Sequence, residues 1–156
     1  CFLKIFKKMK NLDYLSADLN SPWADIKMDV HNIQFDDNSF DVVICNHVLE
    51  HVDDSDKVMR EFFRVMKPGG WGIFQVPIDY NNANTIEDKS ITDPRERERL
   101  YWQSDHLRLF GRDYGKRLAA AGFNVTESNY INEIDPQLVE RYALDKNEII
   151  YFCQKI

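Results

Sequence analysis

The side chains in this chain best suited to chemistry are carboxylates at strand ends and four histidines. Asp13-Tyr14-Leu15-Ser16-Ala17-Asp18 reads as a short strand closed by a carboxylate. In dinucleotide-type βαβ units such a group hydrogen-bonds ribose hydroxyls; in an ordinary turn it is a local cap. Asp29 ends the next short strand, where it can accept from an exocyclic amine while Val30 packs on a flat ring. A loop cap is its plainer role. Asn46, His47, Glu50 and His51 follow a third, apolar strand. His51 is read first as pinning the strand-to-helix turn and second as a base. His106, in Ser104-Asp105-His106-Leu107-Arg108, is the candidate catalytic base or substrate contact. Tyr101 and Trp102 before it offer an apolar wall. The structural alternative is that His106 holds a loop, while Tyr101, Trp102, Leu107 and Phe110 anchor a surface segment.

Positioning these residues takes alternating strands and helices, the pattern of βαβ units and a mainly parallel sheet. Phe2 to Lys10 has the apolar spacing of a late helical turn. Residues 13–18 and 26–29 are short strands, and Asp36 to Ser39 is a turn. Phe40-Asp41-Val42-Val43-Ile44-Cys45 is expected to be a central strand buried on both faces. Ser55 to Lys67 gathers Val58, Met59, Phe62, Val65 and Met66 on one helical face, and Pro68-Gly69-Gly70 should end it. A strand from Trp71 to Ile78 follows. Residues 79–105 are a polar insertion too long for an ordinary loop, of the kind that forms lids, binding loops or disordered segments; within it Asp93-Pro94 opens a helix toward Trp102. Then come a helix from Gly111 to Ala121, a strand from Phe123 to Thr126, a helix from Asp135-Pro136 to Leu144, and a closing strand from Glu148 to Lys155.

Composition narrows the choices. A chain of 156 residues with 44% apolar content suits one domain, residues 1–156, with a real core. The net charge of −6 disfavours nucleic acid as a partner. The basic cluster from Lys4 to Lys10 is the polar side of an amphipathic helix. Arg95, Arg97 and Arg99 alternate with Glu96 and Glu98 as a solvated helical stretch. No apolar run reaches membrane-spanning length, so no membrane partner is expected. Cys1, Cys45 and Cys153 lack disulfide or zinc-site spacing. The expectation is therefore reduced thiols, no bound metal, and a cytoplasmic setting by default.

In this order and spacing the residues resemble the class I S-adenosylmethionine-dependent methyltransferases, especially the small-molecule "type 11" group. The resemblance rests on DVHNIQFDDNSFDVVICNHVLEHV and FFRVMKPGGWGIFQVP, with DHLRLFGRDYGKRLAAAGFNV as a later match. It runs from about Asp13 to Val125 and implies a Rossmann-like α/β sheet, mostly parallel with an antiparallel C-terminal strand. It also implies S-adenosylmethionine as cofactor and a small or cell-envelope-type acceptor. Asp18 would take the ribose hydroxyls, Asp29 and Val30 the adenine, and Asn46 and His47 the methionine end. The insertion at 79–105 would cover the substrate pocket.

One departure stands out. The first glycine is Gly69, so the first strand and Gly-x-Gly loop of that family have no counterpart, and the chain reads as an N-terminally truncated domain. The missing strand would lie between the strands ending at Asp18 and Cys45. Two open strand edges would result, leading to self-association across the gap or to unusual packing of residues 1–18. Cys1 to Phe6 is apolar enough to replace the strand, but no glycine turn follows it. A non-catalytic binding or assembly module on a degenerate methyltransferase fold is the alternative function. Another nucleotide-binding α/β enzyme is a third.

Overall fold

The main sheet starts at Phe40. The computed structural model describes residues 5–156. Cys1 and the start of the expected Phe2–Lys10 helix lie outside the described residues. Strand β3 (Phe40–Asn46) pairs in parallel with β4 (Met66–Gln75). Beyond β4 lie β8 (Ile150–Gln154) and then β7 (Asn124–Ser128), giving the order β3-β4-β8-β7. Only β8 runs against its neighbours, so the antiparallel C-terminal strand falls where expected. Ahead of this sheet stands a separate parallel ribbon of β1 (Ala17–Asp18) and β2 (Ile26–Lys27). Both ribbon strands are shorter than the sequence suggested: β1 starts at Ala17 rather than residue 13, and β2 stops at Lys27, two residues before Asp29.

Helix α1 (Ser55–Val65) connects β3 to β4. Asp54 caps it by accepting the Lys57 N–H at 2.9 Å. Its apolar face buries Val58, Met59, Phe62 and Val65, each contributing about 1.5–3 kcal/mol. Phe62 stacks on Phe74 of β4 with ring centroids 5.1 Å apart, and Phe74 meets Phe123 at 5.2 Å. The helix stops two residues before the expected Lys67. Met66 is already extended and pairs with Phe40, and Lys67 could not carry the helix further, because a residue directly ahead of a proline disfavours the helical region. The chain then turns at Gly69, with φ of 81°. At Gly70 a Cβ would sit 2.8 Å from the Asp41 carbonyl oxygen.

One expectation is corrected here. Strand β3 is not buried on both faces: Val42 and Ile44 are exposed. Among the described residues β3 pairs only with β4, so its other edge is open. The apolar run does pack inward through Val43 and Cys45, and burial pushes the Cys45 and Cys153 thiols up to about 12.

Residues 79–105 are ordered structure rather than a loose loop. Strand β5 (Ile86–Glu87) pairs antiparallel with β6 (Arg108–Leu109). Helix α2 (Pro94–Tyr101) is capped by Asp93, which accepts the Arg95 N–H at 2.8 Å. It ends at Trp102, whose φ is 74°. Tyr101 is fully buried and its hydroxyl accepts the Asp88 N–H at 3.0 Å. Trp102 is exposed, so the two side chains do not share one wall, and the buried Tyr101 anchors the segment to the core. Helices α3 (Tyr114–Ala120) and α4 (Pro136–Arg141) complete the chain, with a 3-10 turn at Tyr130–Glu133. Both helices are shorter than expected. No helix among the described residues is long and apolar enough to cross a membrane.

Candidate functional site

The parallel pairing of β1 with β2 puts Asp18 and Asp29 at the same end of the ribbon. Asp18 Oδ1 accepts the N–H groups of Asn20 and Ser21 at 2.8 and 2.6 Å. These bonds hold its carboxyl below the usual range, so the group is an anion at neutral pH. Asp29 Oδ1 accepts from the His31 backbone at 2.9 Å and from His31 Nδ1 at 2.8 Å. His31 likewise holds the Asp29 carboxyl low. Both aspartates thus carry the local cap the sequence allowed. Each keeps its Oδ2 without a hydrogen-bond partner among the described residues, free to accept from a hydroxyl or amine. That is the donor set S-adenosylmethionine would present from its ribose and adenine, so the residues fit the cofactor. Val30 is half-buried against the core beside Asp29.

His31 is a residue the sequence reading missed. Its Nδ1–H donates to Asp29, which leaves Nε2 to accept the Asp54 N–H at 3.3 Å. This ring ties the ribbon to the cap of α1. Within the ribbon itself, Met28 donates its N–H to the Asp18 carbonyl at 3.1 Å. Residues 33–35 are fixed to the same helix by Arg64, which donates to the carbonyls of Ile33 and Phe35. No periodicity marks such contacts; a histidine two residues after an aspartate is the only sequence hint.

The second group forms beyond the carboxyl end of β3. Asn46 and His47 are exposed there, and His47 adopts a left-handed φ of 56°. For a residue with a Cβ that is strained backbone, kept by the surroundings. One fixing contact is its N–H to the Gln75 carbonyl at 2.8 Å. The left-handed turn sends the chain back over the sheet and brings Glu50 inward. Glu50 is 1% exposed, and its Oε1 lies 3.3 Å from His47 Nδ1 and 4.0 Å from His51 Nε2. The rings of His51 and His106 meet edge to face at 4.7 Å. His106 is buried, with Nδ1 2.8 Å from the Tyr101 carbonyl oxygen. The structure thus brings His51 and His106, 55 residues apart in sequence, into one cluster with Glu50 while leaving Asp18 and Asp29 on the ribbon. The two groups are joined through His31, Asp54 and the turn before α1.

Arg108 builds the floor of the second group and carried no role in the sequence reading. It is 1% exposed. Its guanidinium donates to the carbonyls of Leu49, Val52 and Asp53 and pairs with Glu87 at 2.8 Å. Leu107 donates its N–H to the Glu50 carbonyl at 2.8 Å. The strand after the insertion therefore clamps the turn that carries Glu50 and His51.

Comparison with known proteins agrees with this architecture. A methyltransferase domain family matches residues 5–74. The arsenite methyltransferase of Aquipseudomonas alcaligenes is 30% identical over 113 residues, 72% of this chain and 28% of that protein. A ubiquinone/menaquinone biosynthesis C-methyltransferase of Idiomarina loihiensis is 44% identical over 45 residues, 29% of this chain and 18% of that protein. The chain thus spans less than a third of either relative. An S-adenosylmethionine-dependent methyltransferase of Thermotoga maritima superposes with a TM-score of 0.50 at 18% identity, over 84% of this chain and 63% of that one. The [4+2]-cyclase SpnF gives 0.51 at 17% identity, over 82% and 54%. At such identities the structures establish the Rossmann-like fold alone.

Proposed function

Since the chain belongs to the class I S-adenosylmethionine-dependent methyltransferases, through its match to their domain family over residues 5–74, we propose that it binds S-adenosylmethionine and passes the methyl group to a small or cell-envelope-type acceptor. The observation that carries this reading is the pair of strand-end aspartates. Each is an anion with one oxygen fixed by backbone N–H groups and the other free. In open α/β sheets, ligands bind beyond the carboxyl ends of strands, where Asp18, Asp29, Asn46 and His47 all sit. Asp18 takes the ribose, Asp29 and Val30 the adenine, and Asn46 and His47 the methionine end. Methyl transfer is a displacement in which the acceptor attacks the methyl carbon and the sulfonium sulfur leaves. The protein's main task is alignment, with a base where the acceptor must lose a proton. His47, exposed at the mouth of the buried cluster, suits that task better than His106, whose Nδ1 is held at the Tyr101 carbonyl. The relatives' names, an arsenite methyltransferase and a quinone-biosynthesis C-methyltransferase, support a small acceptor. The experiment is a titration with S-adenosylhomocysteine, set against the Asp29→Asn variant.

The open edge of β3 favours a second reading, a binding or assembly module. Val42 and Ile44 are exposed along an edge with free backbone groups, the kind of strand that recruits another. On this reading two copies associate through β3. Sedimentation equilibrium should then show dimers that Ile44→Lys dissociates; a single monomeric species at all concentrations would exclude it.

A further inference from the structure

The buried cluster behind His47 has a composition that neither cofactor binding nor packing explains. Glu50 is 1% exposed, yet among the described residues neither of its carboxylate oxygens has a hydrogen-bond partner. Buried carboxylates are normally satisfied by several donors; this one instead faces two imidazoles. One ligand atom each from Glu50, His51 and His106 can be chosen so that all three lie within 4.8 Å of one another.

We propose that Glu50, His51 and His106 form a binding site for a divalent transition-metal ion of the zinc class. The orientation of both rings supports it. The Tyr101 carbonyl can only accept, so His106 carries its proton on Nδ1 and keeps the lone pair on Nε2. His51 places Nδ1 3.3 Å from the Asp105 carboxylate and Nε2 4.0 Å from Glu50 Oε1. Histidines that bind metals characteristically turn the other ring nitrogen to a carbonyl or carboxylate in this way. Here one of each is present. Two imidazoles and one carboxylate suit zinc and its neighbours rather than magnesium or calcium, which prefer oxygen ligands alone. Ligands around tetrahedral zinc stand about 3.4 Å apart, so the cluster closes by small side-chain movements. Three protein ligands leave one position open, the mark of a catalytic rather than a structural site. The inference departs from the sequence expectation of no metal, which weighed only cysteines and local spacing. Glu50 and His51 are adjacent, but His106 joins them only through the fold.

The metal-free alternative is that His47 Nδ1, 3.3 Å from Glu50 Oε1, satisfies the carboxylate as a hydrogen-bond donor. Titration of the chelator-treated protein with cobalt(II) separates the two. The proposal predicts visible ligand-field absorption that saturates at one equivalent and is displaced by zinc(II). Glu50→Gln keeps the size of the side chain and should weaken binding by tenfold or more, as should His106→Gln. Where His106→Gln does not fold by circular dichroism, Glu50→Gln decides alone. Absorption no different from the free ion, or Glu50→Gln binding as tightly as the parent, would overturn the site. The readout is independent of S-adenosylhomocysteine, so its failure and that of the methyltransferase reading are distinguishable.

Discussion

Arg108 shows how far a single residue's role can lie from its appearance in sequence. Read along the chain it is one of several arginines after a charged helix. In the fold it is the buried cation that holds the Leu49–Asp53 turn, and with it Glu50 and His51. Removing it leaves three carbonyls and Glu87 without their donor. Breaking a buried pair of this kind costs about 3–5 kcal/mol. Arg108→Leu should lower the free energy of urea unfolding by that order; a loss below about 1 kcal/mol would mean the clamp is not structural. Asp18 and Asp29 were legible because a carboxylate at a strand end is a local signal. His31 and Arg108 were not, because the partners that give them their roles, Asp54 for His31 and Leu49, Val52, Asp53 and Glu87 for Arg108, lie 21 to 59 residues away. For His106 the structural alternative, holding a loop, is visible in its bond to the Tyr101 carbonyl.

The elements follow their local codes closely where one face is buried. Asp93 and Asp135 accept backbone N–H groups as their Asp-Pro pairs suggested, and Asp54 does the same for α1 without having been marked in the sequence. The misjudged elements are those fixed by neighbours: β3, which the apolar run suggested would be central, and residues 79–105, whose polar composition hid the β5–β6 pairing. Helix α1 is secured to the segment before β3 by Glu61, which accepts from the Ile33 N–H at 2.9 Å and pairs with Arg64. Arg64 holds the Glu61 carboxyl below its usual value. A depressed acid stabilises the fold fully above its unfolded pKa of about 4.3, and that contribution is lost as pH falls through the folded value. The melting temperature should therefore drop as pH falls from 5 to about 3. Glu61→Gln should melt lower at pH 6 and show a shallower acid slope. An unchanged slope would show that Glu61 does not couple the segment to α1.

At the scale of the molecule, the sheet order and the lone antiparallel strand β8 emerge from alternation and strand length, which is why the fold class could be read from sequence. Among the described residues the β1–β2 ribbon and the sheet that starts at β3 are separate. What alternation does not encode is which loops meet. The ribbon carboxylates and the cluster behind β3 are linked through His31, which spans from Asp29 to the cap of α1. The account stands on those ribbon carboxylates receiving a nucleoside. Its most direct test is calorimetric titration of the chain with S-adenosylhomocysteine beside Asp29→Asn. The variant keeps an Oδ1 acceptor for His31 but puts an amide donor where Oδ2 should meet the adenine amine. The account predicts saturable binding at one site and a loss of about tenfold or more in the variant, the worth of a hydrogen bond to a charged group. No saturable heat, or equal binding by the variant, would contradict it.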